Sequence, residues 1–196
     1  MKFVLATANP GKIKEMREIL SGFGIDIITR DDLGIQIEVE ETGTTFFENA
    51  KLKAEAICFA SKMPAIADDS GLVVEALEGR PGVYSSSFGG EDLTSEQRCN
   101  FLLDAIKNME QRRAKFVCNI VCVFPDGRVL TATGECDGTI STEIRGEKGF
   151  GYDPVFIPDG YDKTMAELSS EEKNAISHRG KALVEFRELL KKGICV

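Results

Sequence analysis

Four short stretches of this chain carry the residue types that chemistry needs: TANPGK at 7–12, IADDSG at 66–71, GFGYDP at 149–154 and AISHRGK at 175–181. In the first, Thr7, Ala8, Asn9, Pro10 and Gly11 follow an apolar strand-like run and lead into a helical pattern. A strand feeding a glycine-containing loop into a helix N-terminus offers backbone N–H groups and a favourable dipole to an anion. Lys12 adds a charge. An ordinary turn and helix cap would use the same residues. Neither GxxxxGK followed by Ser or Thr nor GxGxxG occurs, so the loop is not one of the common nucleotide fingerprints.

In the second stretch, Asp68 and Asp69 end a short apolar run. Neighbours on a strand point to opposite sides, so at most one of the two faces a given pocket. Glu38, Glu40 and Glu41 lie upstream in EVEET. Hard oxygen ligands of this kind suit Mg²⁺, which keeps several waters and commonly bridges to phosphates. Exposed turn acids are the alternative. The third stretch places Phe150 and Tyr152 either side of Gly151, before Asp153. Its aromatics could stack on a planar base, worth about 1–3 kcal/mol each, or tuck into the core.

The fourth holds the only histidine, His178, between Ser177 and Arg179. A serine hydrolase is excluded at once, because Ser177 is adjacent in sequence and lies in no GxSxG elbow. Ser177 reads instead as the N-cap of the last helix. His178 and Arg179 then occupy its first turn, with Lys173 nearby. That cluster suits donation of hydrogen bonds to a carbonyl or a phosphate.

The elements that must position these residues are legible in outline. KFVLAT reads as a strand and KIKEMREIL as a helix, with Ile13, Met16, Ile19 and Leu20 at helical spacing. GIDIIT is the next strand. TTFFENAKLKAEAICFASK follows as a helix with Phe47, Ala50, Ala54 and Ile57 on one face. AIADDSGLVVEAL reads as a strand, a turn at Asp69-Ser70-Gly71 and a second short strand. A helix over about 94–110 precedes a hairpin turning at Pro125-Asp126-Gly127. In its first strand Phe116, Cys118, Ile120, Cys122 and Phe124 alternate with Val117, Asn119, Val121 and Val123, as in a strand covered on both faces. A loop, a short strand and closing helical sequence complete a mixed α/β architecture.

Composition narrows the partners. The net charge is −8 and no basic run occurs, which disfavours a nucleic acid polymer. The six cysteines include no CxxC pair, so a structural zinc site is not expected, and Cys118 and Cys122 read as buried free thiols. No signal-like or membrane-spanning run follows Met1, and a cytoplasmic protein, with no membrane partner, is expected.

Taken in order, ATANPGKIKE, EETGTTFFENAKLKA, AIADDSGLVVEALEGRPGVYS, GFGYDPVF and EKNAISHRGKAL resemble the inosine/xanthosine triphosphate pyrophosphatase family over nearly the whole chain. The resemblance implies a single two-lobed α/β domain over 1–196, with an elongated mixed central sheet flanked by helices and a central cleft. It also implies a homodimer and Mg²⁺-dependent hydrolysis of deaminated purine triphosphates (ITP, dITP, XTP) to the monophosphate and pyrophosphate.

Carried over by position, Thr7 to Lys12 are similar to the phosphate loop, and Lys53 to a further phosphate contact. Glu40 and Asp69 correspond to the metal site, with Asp69 also the general base and Ser70 beside the substrate. Phe150, Gly151, Tyr152 and Asp153 correspond to the base-binding loop; Lys173, His178 and Arg179 are the remaining nucleotide contacts. On this reading His178 and Arg179 donate to the purine 6-keto acceptor and leave a mismatch with adenine's 6-amino donor. Sites that rely on such pairing discriminate by up to about 10⁴–10⁵.

Ala8 stands where the family commonly has glycine, and would be strained if the backbone there required positive φ. A Nudix-type hydrolase is the rival with similar chemistry, but Arg17 stands where its box needs glutamate. A nucleotide sensor without turnover is the rival of a different class.

Overall fold

A computed structural model describes residues 2–194. Its elements are β1 (Lys2–Leu5), α1 (Pro10–Gly22), β2 (Asp26–Thr29), α2 (Phe46–Ser61), β3 (Ala65–Val74), α3 (Ser95–Ala105), β4 (Arg113–Val123), β5 (Val129–Ile140), β6 (Phe156–Pro158), α4 (Ser170–Ile176) and α5 (His178–Ile194), with short 3₁₀ turns between. The strands form a mixed sheet in the order β2-β1-β3-β4-β5-β6. β1 pairs in parallel with β2 and β3, and β5 pairs antiparallel with β6. The expected mixed α/β class is what the chain adopts.

The chain divides into two compact units. One comprises the sequence up to Asp69, Cys118–Gly134 and the sequence from Arg179; the other comprises Ser70–Val117 and Glu135–His178. In the first unit strand alternation sorts the core into two layers. Phe3 and Leu5 of β1, Ile66 of β3, and Cys118, Ile120 and Cys122 of β4 pack with Met16 and Leu20 of α1 and Leu183 and Phe186 of α5. Val4, Ala6, Ala65, Ala67, Val121 and Val123 point the other way, against Ala50, Ala54 and Ile57 of α2. The apolar residues on both faces of β4 are thus covered on both sides, as its sequence predicts.

In the second unit Leu102 and Ile106 of the α3 region, Phe116, Ile140, Tyr152, Val155, Phe156, Met165 and Leu168 enclose one core. β5 and β6 pair there with Thr139 opposite Ile157.

Local chemistry explains the helix starts. Asn9 caps α1, its side chain accepting from Lys12 N–H, and Pro10 fills the first turn where no N–H is needed. Thr45 and Glu48 form a reciprocal capping box on α2, and Thr94 with Gln97 does the same for α3. Gly127, at φ 89°, makes the hairpin turn after Phe124.

Three expectations are corrected. β3 runs unbroken through Asp69-Ser70-Gly71, where a turn was expected, because the two aspartates find charged partners along the strand and need no solvent. α3 ends at Ala105 rather than near 110, and Met109 is exposed. Phe47 lies 40% exposed instead of joining the α2 apolar face; Asn49 and Cys58 are buried with Ala50, Ala54 and Ile57. Cys58, Cys99, Cys118, Cys122 and Cys136 are buried free thiols, and Cys195 lies outside the described residues.

Candidate active site

Parity along β3 decides what each aspartate meets. Asp68 shares its side of the strand with Ile66, facing α1 and α5; Asp69 shares its side with Ala67, facing α2. Asp68 is consequently met by Lys12 Nζ at 3.0 Å and by Arg179, whose Nη2 and Nε donate to the same oxygen at 3.0 and 3.2 Å. Arg179 Nη1 also donates to Glu15, one turn beyond Lys12 on α1. Burial opposes charge on Asp68, but Lys12, Arg179 and Lys53 outweigh it and hold its carboxyl far below the usual aspartate range. Burial likewise opposes charge on Arg179; Asp68 and Glu15 overcome this and keep the guanidinium protonated.

Asp69 has a different environment. Lys53 Nζ lies 3.2 Å from its Oδ1, and Asn49 Nδ2 donates to its Oδ2 at 3.4 Å. Burial lifts its pKa and the charge of Glu41 adds to the rise; Lys53 and Lys12 oppose without cancelling it, so the net shift is upward. Lys53 also reaches Glu41 at 3.1 Å. Two adjacent carboxylates therefore take opposite characters: one locked as a structural anion, the other raised toward the range where a carboxylate accepts a proton usefully.

The loop before α1 is less open to an anion than its sequence implies. Pro10 has no N–H, Lys12 N–H is taken by Asn9 at 3.1 Å, and Asn9 N–H donates to Thr7 Oγ1 at 3.1 Å. Ala8 is exposed and has no positive φ; among the described residues only Lys62 and Glu78 are non-glycine residues there. Alanine is unstrained at this position.

The second unit assembles another group. Asp153 accepts from Phe150 N–H at 2.8 Å and from Lys173 Nζ at 2.5 Å, and that ammonium lies 4.9 Å from the centre of the Phe150 ring. Gly149, at φ 76°, lies so close that a Cβ there would run into the Asp153 carboxylate. Tyr152 is buried, and its hydroxyl donates to Ser85 C=O at 2.9 Å. Burial raises its pKa. Of the two loop aromatics, then, Tyr152 anchors the loop in the core and Phe150 is half-buried beside Lys173. Cys99 contacts Gly151 C=O, and burial, with Asp153 nearby, pushes its thiol up to about 12. The His178 ring stacks on Phe116, centroids 4.7 Å apart and planes 12° from parallel.

Of the residues picked from sequence, the structure groups Lys12, Lys53, Asp69 and Arg179 in the first unit, and Phe150, Gly151, Tyr152, Asp153, Lys173 and His178 in the second. Ser70 is half-buried on β3, and Glu40 is exposed in the unstructured segment before α2. The guanidinium of Arg179 is engaged by Asp68 and Glu15. Glu15, Asn49 and Phe116 were missed as site residues; Glu41, offered with Glu38 and Glu40 as an acidic neighbour, is the one of the three that meets Lys53. Only Glu15 left a signal, a carboxylate beside the buried Met16 at one-turn spacing from Lys12. Among the described residues, no group of three or more His, Cys, Asp or Glu side chains is arranged to hold a metal.

A mixed α/β chain that sets one raised and one locked carboxylate among lysines has the parts of a hydrolase for an anionic substrate. The Ham1 family model matches residues 3–189, and the chain belongs to that family. It is 52% identical to the dITP/XTP pyrophosphatase of Aquifex aeolicus, over 97% of each chain. It is 46% identical to the dITP/XTP pyrophosphatase of Escherichia coli, over 98% of this chain and 99% of that one. Among solved structures, the Ham1 protein of Staphylococcus aureus superposes with a TM-score of 0.88 at 42% identity, covering 98% of this chain and all of that one. A HAM1 protein from Coxiella burnetii gives 0.89 at 39% identity, over 98% and 99% of the two chains.

Proposed function

We propose that this chain hydrolyses deaminated purine nucleoside triphosphates (ITP, dITP and XTP) to the monophosphate and pyrophosphate, keeping them out of DNA and RNA. The observation that carries the reading is the divided aspartate pair. Asp69 is raised by burial and by Glu41, yet lies within reach of Lys53, as a base beside a phosphate contact should. That the relatives from Aquifex aeolicus and Escherichia coli are dITP/XTP pyrophosphatases supports the same substrate class.

Asp69 orients and deprotonates the attacking water. Lys12 and Lys53 neutralise phosphate charge, the loop from Thr7 to Gly11 borders the phosphates, and Ser70 lies beside the substrate. Asp69, with Glu40 from the irregular segment before α2, would hold Mg²⁺. The ion needs only one or two protein carboxylates besides phosphate oxygens, and the negative field of Glu41 on Asp69 is one that a cation relieves. When bound, the metal screens the triphosphate and stabilises charge developing on it.

Phe150 to Asp153, with Lys173, serve the base. Because Asp68 and Glu15 hold Arg179, we assign the donor to the 6-keto oxygen to His178, and to Arg179 the tethering of Asp68. We further propose that the enzyme works in the cytoplasm as a homodimer. No helix among the described residues is long and apolar enough to cross a membrane.

The test is product analysis with ITP, GTP and ATP in the presence of Mg²⁺. ITP should give IMP and pyrophosphate, and should outpace the other two. IDP and orthophosphate as first products would overturn the assignment, and binding without turnover would make the chain a sensor. Base selection is checked separately. His178→Ala should lower kcat/KM for ITP by more than for ATP, because ATP never gains that hydrogen bond. An unchanged ITP/ATP ratio would move selection to Phe150–Asp153.

A further inference from the structure

The Lys53 ammonium bridges two carboxylates. Its Nζ lies 3.1 Å from Glu41 Oε2 and 3.2 Å from Asp69 Oδ1. Lys53 is carried by α2 and Asp69 by β3, both regular and well packed, whereas Glu41 lies in the segment 35–43, which has neither helix nor strand. The side chains of Lys53 and Asp69 are only 13% and 10% exposed, so their attraction is shielded from water; that of Glu41 is 45% exposed. One cation thus ties an irregular acidic segment to the proposed general base.

We propose that Lys53 is a displaceable stand-in for the metal: its ammonium holds Glu41 and Asp69 together until a divalent cation takes the Asp69 carboxylate, and only then is it released to contact phosphate. The proposal rests on the reading that Asp69 holds the metal. An ammonium and a divalent cation cannot both occupy the same carboxylate oxygens, and their like charges repel. Lysine suits such an exchange, being a compact point charge on a flexible four-carbon stem. Two consequences follow. Metal binding to the nucleotide-free protein is weakened by competition from Lys53. Metal and triphosphate bind with positive coupling, because each favours the released lysine.

The experiment is Mn²⁺ titration of the full-length, nucleotide-free protein at fixed pH, followed by electron paramagnetic resonance of the free ion. Circular dichroism checks the fold of each variant. Lys53→Met should tighten Mn²⁺ binding about five- to tenfold, the effect of losing one partly shielded ion pair. Lys53→Arg keeps a bridging cation and should stay near wild type. Lys12→Met removes a lysine that pairs with Asp68 instead of Asp69, and should tighten binding less than Lys53→Met. Unchanged or weaker binding by Lys53→Met would overturn the proposal. Equal tightening by Lys12→Met would do so too, since it would mean a general field and no occupied bridge. Asp69→Asn separates the two layers of argument. If it leaves Mn²⁺ affinity untouched, the metal assignment itself fails; if it weakens Mn²⁺ binding while Lys53→Met does not tighten it, only the displacement fails.

Discussion

Asp69→Asn should lower kcat for ITP by at least about 10²-fold, the lower range for a positioned general base, while the protein stays folded. Asparagine keeps the shape of the side chain and its place beside Asn49 and Lys53, but removes the negative charge that burial and Glu41 have made basic. Proton acceptance and cation binding are lost together, so the fall should persist at saturating Mg²⁺. The structural cost is small, because Lys53 retains Glu41 at 3.1 Å. A folded variant that keeps most of its activity would remove Asp69 from the chemistry and leave it a strand residue with an ion pair.

The neighbouring substitution should show the opposite profile. Asp68→Asn takes from the buried Arg179 a carboxylate that two of its nitrogens share, and breaking a buried pair by deleting one partner costs about 3–5 kcal/mol. Glu15 remains, and Lys12 is partly exposed and can turn to water, so the lower end is expected. For a chain of this length about 3 kcal/mol corresponds to a fall in Tm of roughly 6–12 °C.

The loss should also depend on pH. The folded-state pKa of Asp68 is depressed below its ordinary 3.8, so its stabilisation is fully present above that value. It declines as the solution is acidified further, toward the folded value. The stability gap between wild type and Asp68→Asn should be constant at neutral pH and narrow in acid below the ordinary aspartate range. Denaturant melts across pH check this; a gap of under about 1 kcal/mol at pH 7 would mean that the Asp68–Arg179 pair contributes no more than a surface contact.

The two carboxylates differ in fate although they are adjacent in sequence, and that contrast marks how far the sequence could be read. Asn9-Pro10 and Thr45 with Glu48 announce helix starts because capping is settled within four residues. The two-sided apolar pattern of β4 announces a covered strand because side-chain period and burial are coupled along one segment. Strand alternation even separated Asp68 from Asp69. It could not say which residues each would meet. Arg179 lies 111 residues from Asp68 and 164 from Glu15 in the chain, yet its guanidinium bonds both. Read locally beside His178, Arg179 looked like a second base-reading donor.

The same limit explains the rest. The sequence left Tyr152 either to stack on a base or to tuck into the core, and the carbonyl of Ser85, 67 residues away, takes its hydroxyl into the core. Asp69-Ser70-Gly71 looked like a turn because polar residues and glycine favour one when their partners are solvent; with Lys12, Arg179 and Lys53 supplied by three helices, the strand continues. Helix caps, strand parity, the hairpin turn and the family motifs were fixed by interactions that close within a few residues. The partners of the buried charges, and so the division of Asp68 into an anchor and Asp69 into a base, arose only when packing brought α1, α2 and α5 onto the two faces of β3. Electrostatic character depends on distance through space, and chain separation does not encode it.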